Sequence, residues 1–234
     1  MRAVTAPGTL PVLAVTGLAK EARLASGTGV LAIGAGGNPE RLRALLAARP
    51  EPGCRAVVSI GIAGGLDPAL QPGDVLVATV IVTPTRSYPA DPAITAAWMR
   101  ALAGSGSTVR EAVLAGVDAA VIDVPAKAAL RSATGSAGVD MESHVAAAYA
   151  AEHGLPFAAL RIVCDPADRA IPAFAAQALK PDGEPDIRAV LTAIARQPSQ
   201  IPALIRLARD SGRAFQSLTR CRARLGIALG VPAV

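Results

Sequence analysis

Two short segments of the sequence place carboxylates where a charged side chain is costly. Glu142 in GVDMES (138–143) stands at the start of an Ala-rich predicted helix, and Asp165 in RIVCDPAD (161–168) ends an apolar stretch. A buried carboxylate is expensive unless it is paired, and such groups tend to have raised pKa values and to cluster at functional sites. One carboxylate that holds a sugar and one acid that protonates a leaving base would suit cleavage of an N-glycosidic bond.

Each candidate carboxylate also has an ordinary explanation when it is taken alone. Asp165 precedes Pro166 and could cap a loop, Glu142 could interact with a helix dipole, and Glu21 could be a solvated helix residue. All three stand beside predicted strand ends, where ligands bind in open α/β sheets. Their combination therefore favours a functional site.

Two glycine-rich stretches follow predicted strands. IGAGG (33–37) precedes a helix, whose open N–H groups could hold an anion. It lacks the G-x-G-x-x-G spacing of a dinucleotide site, and no well-placed acid follows. GIAGG (61–65) indicates either a close approach of the backbone to another group or a tight turn.

The composition indicates one α/β domain in a reducing compartment. The chain has 234 residues, of which 52% are hydrophobic, 18% charged and 3% aromatic. So few aromatic residues argue against stacking of single-stranded nucleic acid, and no apolar run is long enough to span a bilayer. Three separated cysteines and two histidines predict buried thiols and no metal site. No signal peptide is evident, so a cytoplasmic protein is expected.

Strand-like and helix-like segments alternate along the chain, which predicts a mixed, mainly parallel central sheet flanked by helices. The predicted strands are 10–17, 29–37, 55–66, 73–84, 156–164 and one or two within 109–122. The predicted helices are 20–25, 38–48, 91–102, 125–132, 141–153, 185–196 and 201–225.

The C-terminal segment differs in charge from the rest of the chain. Residues 188–234 carry eight arginines and one aspartate, whereas residues 1–187 carry 15 basic and 17 acidic side chains. Apolar residues of 201–225 recur on one face, with most arginines on the others. We therefore divide the single domain into a catalytic region, 1–196, and a basic amphipathic helical extension, 197–234.

Four segments, taken in order, resemble the nucleoside phosphorylase and nucleosidase superfamily, which includes purine nucleoside phosphorylase and methylthioadenosine/S-adenosylhomocysteine nucleosidase. They are GLAKEA (17–22), SIGIAGGLDPALQPGDVLVA (59–78), GVDMES and RIVCDPAD. The resemblance implies a nucleoside phosphorylase-like fold. It also implies that Asp165 protonates the purine, that Glu142 and Met141 bind the ribose, and that Glu21 orients an attacking water.

The nucleophile remains open between water and phosphate. In a phosphorylase, the resemblance implies that Gly17, Gly61 and Gly64 help to hold phosphate and that Arg86 is its cationic partner. Phosphate would then be a co-substrate, and no other cofactor is expected.

The region expected to hold the base departs from the family pattern. Cys164 replaces the usual serine beside the acid, and Val121 and Ile122 occupy a region where an aromatic residue is usual. These three residues predict a more apolar base pocket.

The C-terminal segment resembles the hopanoid-biosynthesis-associated branch of this superfamily. That branch implies adenosylhopane as the substrate, with loss of adenine to leave a ribosyl or phosphoribosyl hopane. Residues 200–225 would then contact an anionic membrane surface peripherally; the alternative is that they pack on the core or on another subunit. The functional alternatives are a methylthioadenosine/S-adenosylhomocysteine nucleosidase, another purine nucleoside phosphorylase, and a non-catalytic nucleoside-binding protein. A homo-oligomer is expected, and nucleic acid is not.

Overall fold

The computed structural model describes residues 10–49, 52–172, 192 and 196–233. The predicted helix over 185–196 lies outside these residues, apart from Thr192 and Arg196. The division at residue 196 into two parts of one domain stays a prediction.

Eight strands within the described residues form one mixed sheet. They are β1 Val12–Thr16, β2 Val30–Gly34, β3 Ala56–Gly65, β4 Val75–Val82, β5 Ser87–Pro89, β6 Val109–Gly116, β7 Gly138–Asp140 and β8 Phe157–Asp165. Five strand pairs are parallel and three are antiparallel. The predicted mixed, mainly parallel sheet is therefore confirmed.

The sheet closes partly on itself. The strand order is β2-β1-β3-β7-β6-β4-β5, and β8 pairs with both β3 and β4. Strands β3, β7, β6, β4 and β8 therefore form a ring. Strands β5 and β7 were not predicted, because three-residue strands are too short to show an alternating pattern.

Six α-helices lie in the described part of the chain. They are α1 Ala19–Ala25, α2 Pro39–Ala47, α3 Pro92–Leu102, α4 Val124–Thr134, α5 Ser143–Glu152 and α6 Ile201–Leu225. Asn38, Asp91 and Asp123 accept backbone N–H groups as the N-caps of α2, α3 and α4, and each of these helices has proline in its first turn.

Alternate residues of the strands pack into two apolar layers. Val12 and Ala14 of β1 face a layer that includes Trp98 of α3 and Leu218 of α6. The side chains between them along β1 face a second layer, built with α2 and α5. The sheet is thus covered by helices on both faces, as predicted.

The two ends of α6 have different surroundings. From Asp210 to Leu225 one face is buried, and Arg220, Arg222 and Arg224 donate hydrogen bonds to groups on the core, namely Ser107 Oγ, Ser26 O, Ala103 O and Gly104 O. The first turns are more open, with Ile201 38% and Ile205 47% exposed. None of the described helices is long and apolar enough to cross a membrane.

Candidate active site

Arg161 lies at the centre of a buried polar cluster. It belongs to β8 and has no solvent exposure. Its Nη2 donates to Ser59 Oγ at 2.6 Å, to Asp140 Oδ1 at 2.8 Å and to Ser143 Oγ at 3.1 Å. These contacts tie β8 to β3, to β7 and to the start of α5. They fix a cation where side chains from several elements meet.

Glu21 of α1 reaches across to the end of β3. Its Oε2 accepts the backbone N–H groups of Gly17 at 2.9 Å and Leu18 at 2.7 Å, and its Oε1 accepts that of Ile62 at 2.7 Å. The residue is 2% exposed. Burial raises the pKa of the Glu21 carboxyl, although Arg161 and the three N–H donors act in the opposite direction.

Glu142 lies on the other side of Arg161, at the N-cap of α5. Its Oε2 is 3.5 Å from Arg161 Nη2. Burial raises the pKa of this carboxyl to about 8; Arg161 lowers it, and the neighbouring Asp140 and Glu21 raise it further. Asp140 in turn accepts the backbone N–H groups of Glu142 and Ser143, which holds the first turn of α5 in place.

Glycines allow these charged groups to approach the backbone. A Cβ at Gly61 would lie 2.5 Å from Glu21 Oε1 and 2.7 Å from Arg161 Nη1, and a Cβ at Gly17 would lie 2.6 Å from Glu142 Oε1. Such separations are too short for any side chain. Both stretches are therefore glycine because carboxylates occupy the space beside them.

Asp165, the last residue of β8, is held by a buried lysine. Lys127 of α4 has no exposure, and its Nζ lies 2.6 Å from Asp165 Oδ2. Burial raises the pKa of the Asp165 carboxyl to about 6, although Lys127 lowers it. A carboxyl with this pKa is partly protonated near neutral pH, as a general acid requires.

The glycine-rich end of β3 runs between the two acidic groups. Gly61 adjoins Glu21, while a Cβ at Gly64 would lie 3.2 Å from Asp165 Oδ2 and 3.1 Å from Val139. Arg161 and Asp165 both lie on β8, where they pair with Gly61 and Gly64 of β3. The structure therefore brings Gly17, Glu21, Gly61, Gly64, Glu142 and Asp165 together.

Three other predicted residues lie close to this group. Met141 is half-buried between Asp140 and Glu142. Val121 packs with Leu66, Ala115 and Val139. The carbonyl of Ile122 accepts the backbone N–H of Ile171 at 2.8 Å, which links it to the segment that follows Asp165.

Two predicted residues are not brought to the cluster. Arg86 is exposed in the turn between β4 and β5, and no hydrogen bond or ion pair joins its guanidinium to another described residue. The Cys164 side chain faces α6, with Sγ 3.2 Å from Ser211 Oγ. A register shift at Cys164, where Val163 pairs with Ala63 and Asp165 with Gly64, interrupts the alternation of side chains along β8.

The sequence analysis assigned no role to Arg161, Asp140 or Lys127. Arg161 and Asp140 lie inside the two motifs, and an arginine within an apolar strand is itself a signal of a buried ion pair. Lys127 gave no such signal, because a lysine in a polar helix is usually solvated.

A model of the phosphorylase superfamily matches residues 4–197. The chain belongs to this superfamily. The prediction of an enzyme that cleaves a nucleoside N-glycosidic bond is thereby confirmed, whereas the hopanoid branch stays a prediction. No curated protein matches the chain significantly.

Solved structures share the fold of this superfamily member at low sequence identity. S-adenosylhomocysteine nucleosidase from Streptococcus pyogenes, in complex with 5-methylthiotubericidin, is 16% identical, with a TM-score of 0.67 over 97% of this chain and 100% of the other. A Helicobacter pylori MTAN mutant with 5'-methylthioadenosine in the active site is 18% identical, with a TM-score of 0.61 over 69% and 87%. Futalosine hydrolase of Helicobacter pylori is 16% identical, with a TM-score of 0.61 over 68% and 88%.

Proposed function

We propose that this protein hydrolyses the N-glycosidic bond of an adenine nucleoside, with water as the nucleophile. The observation that carries the proposal is the position of Glu21, whose two carboxylate oxygens accept three backbone N–H groups at the ends of β1 and β3. Burial raises the pKa of this carboxylate and so makes it a stronger base, which suits it to take a proton from water.

The same contacts argue against phosphate. The backbone donors of Gly17 and Ile62, next to Gly61, already bind the Glu21 carboxylate and so are not open to a second anion. Glu21, Asp140 and Glu142 surround one guanidinium, so the sugar side of the site has an excess of acidic groups. Because its guanidinium is already paired with these carboxyl groups, Arg161 is not free to bind phosphate.

The remaining roles follow from the two raised pKa values. Glu142, with a pKa of about 8, carries a proton near neutral pH and can both donate to and accept from ribose hydroxyls. Met141, next to it, would pack on the sugar. Asp165, with a pKa of about 6, donates its proton to a ring nitrogen of the base, which then leaves with the electrons of the glycosidic bond.

For the substrate, we propose adenosylhopane. Two features support an apolar nucleoside: the resemblance of residues 197–226 to the hopanoid-associated branch, and the exposed Ile201 and Ile205 on the open first turns of α6. The alternative is methylthioadenosine or S-adenosylhomocysteine. Peripheral binding to a membrane and a homo-oligomeric assembly belong to the same proposal.

The test is adenine release from adenosylhopane in detergent, with and without phosphate, with the products identified by mass spectrometry. We expect release without phosphate and a ribosyl hopane product. D165N and E21Q should each lower kcat by roughly 10²–10⁴-fold, which is the usual contribution of general acid–base catalysis. D91N, which retains the N-cap of α3, is the matched control.

Each of the other outcomes contradicts a separate part of the proposal. Release that requires phosphate and gives a phosphorylated sugar would overturn hydrolysis. Release from methylthioadenosine alone would overturn the lipid substrate. Full activity of D165N would overturn the assigned acid.

A further inference from the structure

Helix α4 buries one residue completely, and that residue is a lysine. All other residues of Val124–Thr134 are at least partly exposed, whereas Lys127 has no exposure. A lysine is almost never fully buried unless its ammonium group is paired. The helix therefore places an ammonium group in the interior. The hydrogen-bond acceptors around this group indicate what it does there.

The ammonium group of Lys127 is surrounded by the end of β8 and the segment that follows it. Its Nζ donates to Asp165 Oδ2 at 2.6 Å, to the carbonyls of Pro166 and Arg169 at 2.9 Å each, and to the Asp165 carbonyl at 3.3 Å. Three of these acceptors are neutral. Within the described chain, the Asp165 carboxylate is the one anion that Lys127 contacts.

The two oxygens of the Asp165 carboxyl consequently differ. Oδ2 is bound by Lys127 and lies on the side of Gly64. Oδ1 makes no hydrogen bond with another described residue. Because a proton on Oδ2 would face an ammonium group, the proton of the neutral acid belongs on Oδ1.

We propose that Lys127 is a positioning residue that fixes Asp165 with Oδ1 as its proton-donating oxygen and stabilises the carboxylate left after transfer. This inference rests on the proposed function. The proton moves from Asp165 Oδ1 to a ring nitrogen of the base, and the electrons of the glycosidic bond pass to the base. Water then bonds to the sugar carbon and gives its proton to Glu21. The Asp165 carboxylate remains beside the Lys127 ammonium group.

Removal of the ammonium group should weaken the acid and shift its titration. In K127M the pKa of Asp165 should rise by about one unit or more, because an adjacent opposite charge usually lowers a carboxyl pKa by 1–3 units. The limb of the pH–rate profile that requires protonated Asp165 should move to higher pH by the same amount, while the plateau of kcat falls about 10- to 100-fold.

The experiment measures base release against pH for the wild type, K127M and the K127M/D165N double variant. R131M removes a cation one turn further along α4 and is the matched control. We expect K127M to shift the profile, R131M to leave it unchanged, and K127M to have no further effect on kcat in the D165N background. An unshifted profile in K127M would overturn the proposal.

A measurement without turnover separates this inference from the proposed function. Titration of the Asp165 carboxyl by carbon-13 NMR, assigned with D165N, should give a higher pKa in K127M whichever nucleoside is the substrate. K127Q, whose amide still donates to the carbonyls, is the second variant in case K127M does not fold. An unchanged Asp165 titration, or loss of folding in both variants, would assign Lys127 a structural role and overturn the proposal.

Discussion

Arg161 shows how a single side chain holds a cluster of buried carboxyl groups together. Its guanidinium is completely buried and lies among three carboxyl groups from α1, β7 and the start of α5. One cation cannot compensate three ionised carboxylates in a medium of low dielectric constant. Burial is the main cause of the raised pKa values of Glu21 and Glu142, and for Glu142 the neighbouring Asp140 and Glu21 add to it. The interior around Arg161 thus disfavours the ionised form of the Glu21 and Glu142 carboxyl groups.

The free-energy cost of burying the ionised Glu142 carboxylate should be measurable as a dependence of stability on pH. The folded-state pKa, about 8, lies above the ordinary value of 4.5, so the folded protein binds this proton more tightly than the unfolded chain does. The contribution of this proton to the free energy of unfolding is fully present below pH 4.5 and is lost as the pH rises through 8. We expect E142Q to exceed the wild type by roughly 3–5 kcal/mol in free energy of unfolding at pH 9, with little difference at pH 4.

Urea unfolding between pH 4 and pH 9 checks this expectation. E152Q replaces an exposed carboxylate at the opposite end of α5 and is the control. If the free energies of unfolding of E142Q and the wild type differed by the same amount at every pH, burial of the Glu142 charge would not destabilise the fold.

At the scale of elements, the site depends on how closely β3 approaches its neighbours. The glycines at 61 and 64 of this strand leave room for Glu21, Arg161 and Asp165, which come from α1 and β8. A side chain on β3 would occupy the space of these charged groups. The end of β3 therefore forms a closely packed wall of the site, and is not a loose turn.

The G61A variant should disrupt this wall. The added methyl group would lie 2.5 Å from Glu21 Oε1, so Glu21 and Arg161 must move or the strand must bend. We expect a loss of about 1–3 kcal/mol in stability, typical of overpacking, together with a fall in kcat. G212A in α6, where no atom lies within 4 Å of the added Cβ, should instead gain about 0.5–1 kcal/mol. Thermal unfolding of both variants measures these changes. A G61A variant as stable as the wild type would contradict the close packing at Gly61.

Particular residues show how far the sequence predicts this arrangement. The alternation of strands and helices predicts the layers, and the strand ends predict that Glu21, Glu142 and Asp165 meet. The register shift at Cys164, by contrast, is not predicted by the alternating pattern of β8. The pairing of Lys127 with Asp165 joins residues 38 positions apart. Such a contact depends on how α4 docks, which no local pattern encodes.

For the whole molecule, the distribution of arginines divides α6 into two halves with different surroundings. Arg220, Arg222 and Arg224 are bound to the core, which matches the packing alternative for the second half of the helix. Arg206, Arg209 and Arg213 are exposed beside Ile205. A surface contact with anionic lipid would therefore involve the first half of α6 alone.

Co-sedimentation with vesicles tests this surface. The triple variant R206Q/R209Q/R213Q should bind anionic vesicles roughly 100-fold more weakly, since each basic residue near such a surface contributes about 1 kcal/mol. R41Q/R100Q/R131Q removes the same charge from outside α6 and should bind as the wild type does. Equal binding by both triple variants would leave only the packing role for α6.

The ring of strands has a further consequence for motion. Strand β8 is hydrogen-bonded on both sides, to β3 and to β4, and it contains both Arg161 and Asp165. Because its backbone is hydrogen-bonded within the sheet, we expect its amide hydrogens to exchange slowly with solvent. Glu21 and Glu142 belong instead to helices at the periphery of this ring. We therefore expect slower amide exchange for β8, which carries Asp165, than for α1 and the start of α5, where Glu21 and Glu142 lie.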